Sequence, residues 1–236
     1  MSNIYAEIHK LIDEHDGKLP IVEIFHSIEG EGKKAGAPAV FVRFAGCNLR
    51  CSYCDTKYSH SLYDSKIKWM SIAEIVKEII SYRCNNVTLT GGEPLLYARH
   101  IPQIIRLTTS KLKDVEFNIE TNGTISPNYS VTQLDNVFFT TDCKCPPDEC
   151  NRFLYSSDLR EKDVLKFVVA SKEDLDFVRD FLIEHPVNTK NIFIHPVFGK
   201  IDLKVIAEFV KEHEYLNIRL GVQLHKIIWN PDTRGV

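Results

Sequence analysis

From residue 71 onward the chain alternates β-prone runs with stretches of helical period, which restricts it to parallel βαβ construction. Residues 71–82 carry Ile72, Ile75, Val76, Ile79 and Ile80 at helical spacing, with Ser71 placed as an N-cap. Residues 86–90 read as a strand and 98–110 as a helix. Strands at 115–120 and 136–142 leave room for only a short helical piece between them. A strand at 164–170, a helix at 172–184, a strand at 191–196, a helix at 203–214 and a strand at 217–222 complete the series. Ahead of it, 21–25 and 39–44 are β-prone runs separated by a Gly-rich turn at 29–36, and 1–17 is a polar lead-in with room for a short helix. About seven strands with uneven helices predict a partial, TIM-like (β/α) barrel rather than a complete eightfold one. One domain over 1–236 is expected, with 1–20 leading in. An open doubly wound sheet is the alternative, but the Gly-rich segment precedes a strand and lacks G-x-G-x-x-G spacing. Residues 57–69 show no helical stripe, so the first crossover is expected to be abbreviated.

Composition narrows the function classes. With 44% hydrophobic and 26% charged residues the chain has material for a sizeable core. Its 32 acidic and 29 basic residues leave a net charge of −3, which argues against nucleic acid as the main ligand. No apolar run approaches the roughly 20 residues that span a bilayer. The first ten residues lack the layout of a secretory signal, so a cytoplasmic protein is expected. Seven cysteines in such a chain read as metal ligands or free thiols rather than disulfides.

Three of those cysteines, Cys47, Cys51 and Cys54, stand in C-x3-C-x2-C spacing directly after a strand. Thiolates so placed can converge on an iron–sulfur cluster or on zinc. A structural zinc site calls for four ligands in a closed shell. Three cysteines on a [4Fe–4S] cluster leave one iron open to a substrate or cofactor. Buried cysteines packing as small hydrophobes are the bland alternative, and three in one polar loop suit a core poorly. A second motif, Thr90-Gly91-Gly92-Glu93-Pro94, follows the strand at 86–90. Its glycines permit close backbone approach to a ligand, while a carboxylate and free carbonyls can receive an ammonium group. Alone, the same residues are an ordinary turn.

Together these motifs resemble the radical S-adenosylmethionine (SAM) superfamily, in which the open iron chelates SAM and Tyr53 would stand beside the adenine. The wider sequence, from Val22 to the C-terminus, resembles the 7-carboxy-7-deazaguanine synthase family. The specific pieces are Glu23-Ile-Phe-His-Ser-Ile-Glu-Gly-Glu-Gly32, Val42-Arg43-Phe44, Cys54-Asp55-Thr56, Ile119-Glu-Thr-Asn-Gly123 and His225-Lys-Ile-Ile-Trp229. The resemblance implies a radical SAM barrel and a lyase that converts 6-carboxy-5,6,7,8-tetrahydropterin to 7-carboxy-7-deazaguanine with loss of ammonia, on the route to queuosine. No protein group beyond the cluster-bound SAM is then called catalytic.

On this resemblance Cys47, Cys51 and Cys54 hold the [4Fe–4S] cluster, and Thr56 offers its hydroxyl to Mg2+, which takes few protein ligands. Tyr53, Cys54, Asp55, Gly92, Glu93, Thr141, Asp142 and Lys144 contact SAM. Ile28, Glu29, Gly30, Thr90, Glu120, Asn122, His225 and Pro231 contact the pterin, and Arg43 pairs with its carboxylate through the planar guanidinium fork. Read without the family, Arg43 is a surface charge or a partner for Glu31, Thr56 a capping hydroxyl, Asn122-Gly123 a turn, and His225 a core histidine following a strand. Glu29 departs from the glutamine usual before Gly-Glu-Gly, and an ionised carboxylate accepts hydrogen bonds but cannot donate. Thr141, Asp142, Cys143 and Lys144 stand where many family members have Ser-Pro-Lys, and five residues follow Pro231 where shorter members end.

The other cysteines are less informative. Cys143, Cys145 and Cys150 could hold an auxiliary cluster but read more simply as free thiols, and Cys84 looks structural. Expected partners are the small pterin, an external flavodoxin- or ferredoxin-like electron donor and a second copy of the chain, with no membrane. The competing readings are a radical SAM activase of a glycyl-radical enzyme and a zinc module without activity.

Overall fold

The computed structural model describes residues 2–144 and 159–236. Its centre is one nine-stranded sheet formed by β1 (Leu19–Ile28), β2 (Pro38–Phe44), β3 (Lys68–Met70), β4 (Asn86–Gly91), β5 (Glu116–Thr121), β6 (Val137–Lys144), β7 (Val164–Val169), β8 (Asn191–Pro196) and β9 (Ile218–Leu220). Spatial order runs β3-β1-β2-β4-β5-β6-β7-β8-β9. From β2 onward every pairing is parallel, and β1 pairs antiparallel with both β2 and β3. From β4 to β9 the strand order never reverses. The chain therefore winds in one direction as a partial barrel, without the switch point of a doubly wound sheet.

Helices α1 (Ser2–Glu14), α2 (Ile72–Ser81), α3 (Ile101–Thr109), α4 (Tyr129–Thr132), α5 (Lys172–Glu184), α6 (Leu203–Glu212) and α7 (Leu224–Ile228) accompany the strands. Ser71 caps α2 as its sequence predicts: Ser71 Oγ accepts from Glu74 N, and the Glu74 carboxylate accepts from Ser71 N. Ser171 and Asp174 repeat this box at α5. The polar lead-in is a core element. Ile8 and Ile12, one turn apart in α1, are buried with Leu19 and Ile21 of β1. The stretch 57–69 contains no α-helix, but it holds a single 3-10 turn at Lys57–Ser59 and leads into β3, which pairs back onto β1.

Strand alternation separates two environments. Val87, Leu89, Phe117, Ile119, Val137 and Phe139 face outward into the larger core, and Leu165, Phe167, Val169, Ile192 and Ile194 into a second one. The intervening residues, among them Thr88, Thr90, Asn118, Glu120, Thr140, Asp142 and Lys166, turn into the lumen. Phe138, Val164 and Phe193 form a small apolar cluster of inward residues, with Lys33 Nζ 3.5 Å above the Phe138 ring. No helix among the described residues is long and apolar enough to cross a membrane.

Candidate functional site

A cavity of about 710 Å³ occupies the lumen and its mouth. The mouth is built where ligand sites in parallel barrels collect, from loops following the strands. After β2 comes the cysteine loop, after β4 the Gly91–Gly92 turn, after β5 Asn122, and after β8 Pro196–Phe198. The β1–β2 loop also lines the cavity, and its Gly30 carbonyl accepts from Leu224 N at 3.0 Å. At Gly30 an added Cβ would lie 2.5 Å from His225 Nδ1, so only glycine lets that loop and α7 meet so closely.

The two sequence motifs form one unit. Gly92 N donates to Phe44 O at 3.1 Å and Glu93 N to Gly46 O at 2.9 Å. A Cβ on Gly92 would stand 2.0 Å from Gly46 O and 2.9 Å from Cys47 Cβ. Gly91 adopts φ +138°, and its Cβ would collide with the Phe44 backbone. Asn122 ties in the third loop, donating to Asn48 Oδ1 at 3.0 Å, while Asn48 donates to Thr124 Oγ1 at 2.7 Å.

Cys47, Cys51 and Cys54 are unbridged and all line the cavity. Among the described residues no three His, Cys, Asp or Glu side chains are already gathered as metal ligands. The donor set nonetheless suits a three-thiolate cluster: three cysteines on one short loop, packed against a turn that tolerates no side chain. Burial pushes the Cys47 thiol up to about 11, so its proton leaves when metal binds. Cys54 Sγ lies 3.3 Å from His60 Nε2, a neighbour outside the sequence motifs. Thr56 does not cap the 3-10 turn that follows it. Its hydroxyl donates to Asp55 Oδ1 at 2.8 Å, and Asp55 Oδ2 pairs with Lys226 at 2.9 Å, joining the cysteine loop to α7.

Most of the site residues predicted from sequence line the cavity: Ile28, Glu29, Gly30, Arg43, Tyr53, Cys54, Asp55, Thr56, Thr90, Gly92, Glu120, Asn122, Asp142, Lys144, His225 and Pro231. Two do not. Glu93 is fully buried, and its carboxylate accepts from Leu95 N, Thr121 Oγ1 and Asn122 N at 2.8–2.9 Å, so it braces the β4 and β5 loops and has no face toward the cavity. Burial raises its carboxyl to about 7. Thr141 falls on the outward phase of β6, between the inward Thr140 and Asp142, as does Cys143, which packs in the second core. Cys145 and Cys150 lie outside the described residues. Cys84 is buried, its thiol on Pro38 O. His225 follows β9, as the sequence suggests, but lies on the short helix α7, half-buried at the cavity wall.

Arg43 pairs with Glu23, not Glu31: Arg43 Nε lies 2.7 Å from Glu23 Oε1. Glu31 instead reaches Lys166, which also lies 2.9 Å from Asp142 Oδ1, and Asp142 Oδ2 binds Lys144 at 2.9 Å. Burial opposes ionisation of Glu31, but Lys166 and His195 outweigh it and hold the carboxyl far below its usual range. Lys166 and Lys144 are likewise buried, and their carboxylates keep both well above the ordinary lysine value. Lys166 and His195 escaped the motif reading, although a lone lysine at the inward phase of an apolar strand was a signal available in the sequence.

Residues 41–131 match the family model of the radical SAM superfamily. The chain is 43% identical over 220 residues to the 7-carboxy-7-deazaguanine synthase of Clostridium acetobutylicum, covering 92% of this chain and 98% of that one. It is 39% identical to the synthase of the same name from Thermoplasma acidophilum, covering 92% and 99%. The crystal structure of QueE from Escherichia coli superposes with a TM-score of 0.65 over 94% of this chain and 99% of that chain, at 21% identity.

Proposed function

This chain belongs to the 7-carboxy-7-deazaguanine synthase family of radical SAM enzymes, and from that premise we propose how its cavity divides between SAM and a carboxylated pterin. The enzyme is a radical SAM lyase of 7-deazapurine biosynthesis acting on a small molecule. Cys47, Cys51 and Cys54 would hold the [4Fe–4S] cluster, with SAM bordered by Tyr53, Cys54, Asp55, Gly92, Asp142 and Lys144. When bound, cluster and SAM supply the one-electron chemistry that a pterin lacks by itself.

The substrate, 6-carboxy-5,6,7,8-tetrahydropterin, would lie deeper, among Ile28, Glu29, Gly30, Thr90, Glu120, Asn122 and His225, with Pro231 at the edge. Arg43 carries this reading. Its Nε is held by Glu23, and among the described residues no protein acceptor takes its Nη nitrogens, which are left to grip a carboxylate. Arg43 stands beside Thr90 in the β2–β4 register, so the two would meet the same ligand. Thr56, which lines the cavity, would turn its hydroxyl to Mg2+ at the carboxylate. An external one-electron donor, a homodimer, a cytoplasmic location and single-domain organisation belong to the same proposal.

The test is anaerobic reconstitution with iron, sulfide, reductant, SAM, Mg2+ and the carboxytetrahydropterin. Formation of 7-carboxy-7-deazaguanine without any protein substrate is expected, and a Thr56→Val variant should need more Mg2+. SAM cleavage with no deazaguanine would reject the pterin while leaving the radical SAM chemistry intact.

A further inference from the structure

Glu29 lies within the lumen rather than at its rim, with 2% of its surface exposed. Thr88 Oγ1 of β4 donates to its carboxyl, and the Asn118 side chain of β5 also hydrogen-bonds it. The Asn118 carbonyl oxygen is taken by Thr140 Oγ1 at 2.8 Å, so its amide N–H is the group turned to Glu29.

The charged surroundings are acidic. Glu120 faces Glu29 from β5 and Glu31 from its own loop, with Asp142 of β6 beyond. The cations nearby are Lys166 of β7, Lys144 of β6 and Arg43 of β2, with the imidazoles of His195 of β8 and His225 of α7 pushed below the ordinary histidine value first of all by burial. Lys166 binds Glu31 and Asp142, Lys144 binds Asp142, and Arg43 binds Glu23. Glu29 is in no ion pair among the described residues, whereas these cations are held by other carboxylates. In a lumen of low dielectric, the carboxyl without a counter-charge is the one that keeps its proton. Burial, then Glu120, push Glu29 up to about 8 against the opposing hydrogen bonds of Thr88 and Asn118, and burial raises Glu120 in the same direction.

We infer that Glu29 works as a neutral carboxylic acid, presenting an O–H donor to an acceptor atom of the bound heterocycle and so helping to select which face of the substrate the lumen accepts. The inference rests on the substrate reading above for the identity of that heterocycle. The proton on Glu29 stands independently of it. A neutral acid offers one donor and one acceptor, as an amide does, while a carboxylate offers acceptors alone.

Two measurements test it. Difference infrared spectroscopy of the holoenzyme at pH 7 should show a protonated-carboxyl band that Glu29→Gln removes. In kinetics, Glu29→Ala should raise KM about tenfold, the cost of one lost buried hydrogen bond. Glu29→Gln should recover much of that loss. The wild-type kcat/KM should fall as pH passes about 8, and this limb should be missing in Glu29→Gln. An infrared spectrum in which Glu29 is ionised at pH 7 overturns the inference whatever the substrate. So does a Glu29→Gln enzyme that binds as weakly as Glu29→Ala. A wild-type enzyme that carries the band yet makes no deazaguanine overturns the substrate reading instead.

Discussion

Arg43 and Glu23 face each other across the β1–β2 hairpin, joined by the Arg43 Nε to Glu23 Oε1 contact of 2.7 Å, and Tyr58 Oη donates to the same oxygen at 3.0 Å. The pairing orients the guanidinium without consuming the edge that suits a carboxylate. Arg43→Lys keeps the charge but loses the fork. It should raise the substrate KM about tenfold or more, with a smaller change in kcat. Glu23→Gln should raise KM by less, because the amide oxygen can still accept from Nε. Steady-state kinetics on both variants measures the difference.

Lys166 is the hub of the buried charges, held between Glu31 and Asp142. Lys166→Met leaves two buried carboxylates facing each other and should cost on the order of 3–5 kcal/mol. Adding Glu31→Gln should return part of that loss. Urea unfolding of wild type, both single variants and the double variant gives the coupling directly.

Gly92 has no room for a methyl group, since its Cβ would meet Gly46 O and Cys47 Cβ. Gly92→Ala should therefore push the cysteine loop away, costing about 1–3 kcal/mol of overpacking. Iron per chain after reconstitution should drop, while the far-ultraviolet circular dichroism of the barrel stays close to wild type.

Glu93 and Glu29 bind protons more tightly folded than unfolded, with carboxyls raised to about 7 and about 8 by burial. Between the ordinary carboxyl range and these values the folded state holds protons that the unfolded state has lost, so stability declines as pH rises. The slope is about 1.4 kcal/mol per pH unit for each retained proton. Thermal midpoints should accordingly fall from about pH 5 and level off once pH passes about 8, and Glu29→Gln should make the fall shallower and end it near the Glu93 value of about 7.

Much of this architecture was legible from residues close together in the chain. Ser71 with Glu74 marks a helix start, and the stripe Ile75, Val76 and Ile79 marks its buried face, because both signals act within one or two turns. Cys47, Cys51 and Cys54 lie on one loop, so their convergence on a single cavity wall needed no knowledge of distant contacts. Glu93 misled for the same local reason. Beside two glycines it looks like a ligand group, yet three donors from its own and the next loop take up the carboxylate.

The sequence by itself determined the βαβ winding and the grouping of three cysteines on one loop, since periodicity and spacing are short-range properties. Only the tertiary structure decided the pairings: Arg43 with Glu23, Glu31 with Lys166, and Glu29 in no ion pair among the described residues. Partners brought together from β1, β2, β7 and the β1–β2 loop leave no mark on local spacing. In a buried lumen, the position of each counter-charge sets which carboxyl is ionised and which keeps its proton.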